Sequence, residues 1–70
     1  MANNYKGRII QTLKTSAKAN IDRHIMNAEV LLGSHVGVAE HGDMMETIEK
    51  ELLEVAKYQD ILESLKLIGK

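Results

Sequence analysis

The chain has no cysteine, no proline, no tryptophan and no phenylalanine, and its 3 % aromatic content is Tyr5 and Tyr58 alone. Each absence removes something. Without cysteine there is no disulfide scaffold, and no thiolate is available to complete a zinc site; the composition fits a reducing cytoplasm. Cores of mixed folds lean on aromatic area, so so few rings favour a helix bundle of Leu, Ile, Val, Met and Ala. No apolar run reaches about 18 residues, so no transmembrane span is expected. The opening MANNYKGRII lacks the apolar core of a signal peptide. At 70 residues the chain makes one small domain at most.

What is present is helical periodicity. From Asp43 to about residue 67, the residues Met44, Met45, Ile48, Leu52, Val55, Leu62 and Leu65 recur at steps of three and four. They share one wide face, flanked by Ala56 and Tyr58. Glu46, Glu49, Lys50, Glu54, Lys57 and Asp60 fall opposite. Asp43 followed by Glu46 has the spacing of a capping box, with acid placed where the helix dipole is positive. Glu46–Lys50 and Glu63–Lys66 are acid-before-base pairs worth a few tenths of a kcal/mol each, at about the level of other exposed helical pairs. Gly69 suits a C-cap.

A second periodic stretch precedes it. Residues 1–4 read as a lead-in, with Asn3 or Asn4 as N-cap, and nothing but Gly7 interrupts a helix over about 5–32. Ile10, Leu13, Ala17, Ile21, Ile25, Ala28, Leu31 and Leu32 line one face, with His24 among them. Ala19, Met26 and Val30 form a smaller strip beside it, read either as a subunit contact or as scattered surface residues. The connector, 33–42, holds Gly33, Ser34 and Gly37, and Gly33 directly after Leu32 is placed for a left-handed C-cap. Two long helices and a short connector predict an all-α antiparallel hairpin. A single seam buries little for a chain of this length. Two hairpins are therefore expected to dimerise into a four-helix bundle, or to pack in a larger assembly. The expected interface is Ile10, Leu13, Ala17, Ile21, Ile25, Ala28 and Leu31 from the first helix. The second supplies Met45, Ile48, Leu52, Val55, Leu62 and Leu65.

Charge divides between the halves. Residues 1–32 carry five basic and two acidic side chains, a net of +3, and residues 33–70 carry four and eight, a net of −4, which together give −1. Attraction between antiparallel helices, or across a dimer, accounts for the division. The alternative is a nucleic-acid surface made by Lys6, Arg8, Lys14, Lys18 and Arg23, whose affinity would fall steeply with salt.

Candidate chemistry is sparse. His35, Glu40 and His41 crowd the connector as possible ligands of a divalent ion, yet their spacing matches no strong zinc pattern. All-α nucleotide pyrophosphohydrolases gather carboxylates from two helices around Mg²⁺, whereas the first helix here offers Asp22 and Glu29 alone. Ser16, Ser34 and Ser64 have no evident base, and there is no phosphate-binding loop or dinucleotide fingerprint. His24 reads as a core or interface histidine. No catalytic residue and no cofactor is expected.

The run VGVAEHGDMMETIEKELLEVAKYQDILESL, residues 36–65, resembles short α-helical proteins of T4-like marine bacteriophages of the cyanophage type. Their pattern is a basic N-terminal helix, a VG…EH.D connector and a helix of I-E-…-L-…-IA-…-D-…-L type. The matching positions are Val36, Gly37, Glu40, His41, Asp43, Ile48, Glu49, Leu52, Val55, Ala56, Asp60 and Leu62. The resemblance implies a phage origin, with the protein in the cytoplasm of an infected bacterial host or in the virion. It carries no settled activity, so no catalytic residue transfers. Taken together, these observations lead to the expectation of a non-enzymatic protein–protein interaction module that pairs with itself, or with a host or virion protein.

Overall fold

A computed structural model describes residues 2–33 and 41–69, with side chains from residue 5 in the first segment and from residue 43 in the second. The fold is an all-α helical hairpin. Helix α1 spans Ala2–Leu32 (31 residues) and helix α2 spans His41–Ile68 (28 residues). They run antiparallel, so the end of α2 at Gly69 lies beside Ile10 while Glu51 meets His24 further up. The Cα envelope is 58 × 16 × 11 Å, a slab one helix thick. No helix of the described residues is long and apolar enough to cross a membrane.

Burial follows a heptad. The half-buried and buried positions of α1 are Ile10, Lys14, Ala17, Ile21, His24, Ala28 and Leu31, alternating steps of four and three. Those of α2 are Met44, Ile48, Glu51, Val55, Tyr58, Leu62 and Leu65, with the same alternation. Asn20 and Glu54, both on the border of this seam, are the further half-buried side chains. A repeat of 3.5 residues is the burial pattern of a two-stranded antiparallel coiled coil. Its core is thin: Ala17, Ala28, Val55 and Leu65 are the buried apolar residues, at 2 %, 6 %, 8 % and 5 % exposure.

Several expectations change here. The apolar face of α2 read from periodicity is split, because Ile48, Val55, Leu62 and Leu65 enter the seam while Met45 and Leu52 stay 66 % and 52 % exposed. On α1, Leu13 and Ile25 likewise lie outside the seam. Polar residues take their places: Lys14 and Glu51 are both half-buried.

The helix ends also shift. Helix α1 begins at Ala2, so Asn3 and Asn4 lie inside it and neither is its N-cap. Helix α2 begins at His41, two residues ahead of Asp43. Asp43 and Glu46 are thus first-turn and second-turn residues, and Asp43 favours the dipole without being the N-cap. The Asp43 carbonyl accepts a hydrogen bond from Thr47 Oγ1 at 2.7 Å. No glycine among the described residues has positive φ. The N–H of Gly33 bonds Glu29 O at 3.0 Å and that of Gly69 bonds Leu65 O at 2.9 Å, so both continue the helical ladder rather than close it with a left-handed turn.

Candidate interaction surface

The seam has a polar centre. His24 is directed at α2 by its place in the heptad, and its Nδ1 lies 2.7 Å from Glu51 Oε1. A carboxylate can only accept, so the imidazole donates from Nδ1. The same oxygen accepts from Asn27 Nδ2 at 2.8 Å. These two donors, His24 first, hold the Glu51 carboxyl below its ordinary value. On the other side of the imidazole, Nε2 is 3.9 Å from Glu54. The ring stacks on Tyr58 with centroids 6.0 Å apart and planes 14° from parallel.

Lys57 extends the cluster outward. It donates to Glu54 at 3.0 Å, which pushes its pKa up, and its ammonium lies 4.8 Å from the Tyr58 ring centroid. Among the described residues no buried side-chain polar atom lacks a partner. Glu51 and Asn27 escaped the sequence reading because nothing in a single helix shows that a glutamate will be matched by donors across the seam. Of the expected intrahelical pairs, Glu63–Lys66 is formed at 3.4 Å, between two well-exposed side chains.

Outside the seam the hairpin has two broad faces. A groove lined by Lys14, Lys18, Gln59, Leu62 and Lys66 shows that Lys18 and Gln59 share one of them. One and two heptads toward the connector, the same edge positions are Ile25 and Leu32 on α1, and Leu52 and Met45 on α2. This face is therefore polar near the chain ends and apolar near the connector. The other face carries Asn27 and Glu54, which flank the Glu51–His24 pair. From there toward the chain ends its edge positions become Leu13 on α1, and Ile61 and Ile68 on α2. Ile9 lies one turn before Leu13, and Tyr5, Arg8, Ile9, Thr12 and Leu13 together line a shallow groove of about 370 Å³. This face is polar at the connector end and apolar at the other.

The remaining sequence candidates are dispersed. Lys6, Arg8, Lys18 and Arg23 are exposed on α1, while Lys14 is drawn into the seam. The groove that holds Lys14 and Lys18 also holds Asp60 and Glu63, so that part of the basic helix is already faced by acid. Among the described residues, no three His, Asp or Glu side chains gather as metal ligands. His35 and Glu40 lie outside the described residues, as does the side chain of His41.

The fold and its surface define an antiparallel helical hairpin with large apolar side chains exposed on its outer faces. No protein-family model matches this chain, and no curated protein or solved structure is significantly similar to it.

Proposed function

We propose that the protein is a non-enzymatic protein–protein interaction module whose first partner is a second copy of itself. The observation that supports this is the imbalance of its apolar residues. The seam buries two alanines, one valine and one leucine, while Tyr5, Val30, Leu32, Met45, Leu53 and Leu67 stand at least 66 % exposed. Apolar area on this scale, on so thin a core, favours association, since covering it gains the free energy that the seam does not supply. Within this reading the polar seam centre sets the hairpin register and the outer faces make the contacts. On the resemblance of residues 36–65, the protein is phage-encoded, and serves as a minor virion or assembly component or as a small modulator of a host protein.

Light scattering across a dilution series, with far-UV circular dichroism in parallel, tests it. The expected result is an assembled species at high micromolar concentration whose helicity falls as it dissociates. A fully helical monomer at every concentration would count against self-association.

A further inference from the structure

The two outer apolar patches differ in their surroundings. Near the chain ends, Ile9, Leu13, Ile61 and Ile68 are bordered by basic groups: Lys6 one turn before Ile9 and Arg8 in the same groove, while Lys57, one turn before Ile61, is paired with Glu54. Near the connector, Ile25, Leu32, Met45 and Leu52 are bordered by acid. Asp22 and Glu29 flank Ile25 on α1, and Glu49 lines a groove with Leu52 and Leu53 on α2. The patches also lie on opposite broad faces and at opposite ends of the slab.

We infer that these patches are the two unlike halves of a head-to-tail contact between copies of this chain. The inference rests on the self-association proposed above and adds which surfaces meet. Apposing two chain-end patches would bring Lys6 and Arg8 of both copies together. Apposing two connector-end patches would do the same with Asp22, Glu29 and Glu49. Joining one patch of each kind sets basic rim against acidic rim around a common apolar centre. Rim charges add little affinity, but they select orientation and penalise the wrong pairing. The division of charge between the helices, +3 and −4 by halves of the chain, thus has a use between molecules as well as within one.

Geometry carries the consequence. A protomer engaged through one patch still presents the other on its far face and far end. Such a contact does not satisfy itself in a two-fold dimer. It grows into an open chain, or closes as a ring where the rotation permits.

Two double variants test this. Ile9→Gln with Ile68→Gln removes the chain-end patch, and Met45→Gln with Leu52→Gln removes the connector-end patch. All four positions are more than half exposed and glutamine is a good helix former, so the seam is untouched. At a concentration where the unmodified chain assembles, each double variant alone is expected to be monomeric by light scattering. An equimolar mixture is expected to form a complex of two chains, one of each kind, because each supplies the half the other lacks. Recovery of helicity on mixing would show the same thing if the separate variants lose structure.

If the mixture stays monomeric, or if either variant assembles alone as the unmodified chain does, the contact is not head-to-tail, while self-association itself survives. If the unmodified chain is monomeric throughout, both readings fall.

Discussion

His24 and Glu51 stand opposite each other at the middle of the seam, Nδ1 to Oε1 at 2.7 Å, and Asn27 shares that oxygen at 2.8 Å. The equivalent heptad positions of α2 are Met44, Glu51, Tyr58 and Leu65, so Glu51 is the acid among them. Sliding α2 by one heptad in either direction would set His24 against methionine or tyrosine and strand both polar groups. A single polar layer of this kind fixes register in a coiled coil at some cost in stability.

Replacing Glu51 alone by leucine is therefore expected to lower the melting midpoint more than replacing His24 and Glu51 together by leucine. The single change leaves the imidazole and Asn27 facing an apolar group, whereas the double change leaves a continuous apolar layer. Register would loosen in the double variant, and amide NMR spectra would show more than one set of resonances for residues near the seam. A double variant that melts lower than the single one would remove the pair from this role.

The same pair sets a pH dependence. Glu51 is held below its ordinary value by the His24 and Asn27 hydrogen bonds, so the folded state favours its ionised form. That contribution is complete above the ordinary carboxylate value of 4.5 and is lost as pH falls through the lowered folded value. Thermal melts between pH 6 and pH 3 are expected to show the midpoint falling over the acidic part of that range, by less in Glu51→Gln. Equal falls in both proteins would assign the effect elsewhere.

Lys14 occupies a heptad position in the seam yet carries a charge, and it is only half-buried. Long basic side chains at such positions pack their stem and keep the ammonium in water. Lys14→Leu is expected to raise stability by about 1 kcal/mol, within the usual range for burying a leucine side chain partway, as read from urea unfolding. A loss of stability would show that the ammonium makes a contact worth more than the apolar area.

Leu65 is 5 % exposed and is the largest side chain of the buried core. Leu65→Ala is expected to cost about 2–3 kcal/mol, the lower part of the range for buried leucines, because a thin seam can partly collapse into the space. In a hairpin with so little core this is enough to remove much of the circular dichroism signal at 25 °C. Leu53→Ala, at a site 67 % exposed, would leave the helicity of the isolated hairpin nearly unchanged.

Gly7 sits inside α1 with nothing within 4 Å of the point where a Cβ would stand, and its φ is not positive. Gly7→Ala is expected to stabilise the helix by about 0.5–1 kcal/mol, through restriction of the unfolded chain and better helix propensity. Unfolding midpoints would show it directly.

The existence, length and antiparallel arrangement of the helices were readable from steps of three and four between apolar residues, because a helix that buries one side must repeat that way. The phase of the seam was not. On α2 two neighbouring stripes are apolar, Ile48–Val55–Leu62 and Met45–Leu52, and periodicity cannot say which one turns inward. The choice is made across the seam, where His24 and Asn27 supply donors for Glu51, and Tyr58 supplies a ring for His24. Those partners are 24 residues or more away in sequence. Helix α2 starts two residues ahead of the expected cap for a simpler reason: Asp43 has cap chemistry, but the helical ladder already includes it.

The slab is one helix thick, and that bears on how long a copy would last in a cell. Every peptide group of the described helices lies on a rod with at least one side open to water, so there is no deep layer from which slow amide exchange or lasting protease resistance could come. A free copy would open often and be cut readily. Covering the outer faces is what would lengthen its lifetime, so the amount of surviving protein would follow the number of docking places on offer. If the chain assembles as proposed, surplus copies would be cleared without any dedicated signal, and turnover itself would keep the count matched to the proposed assembly.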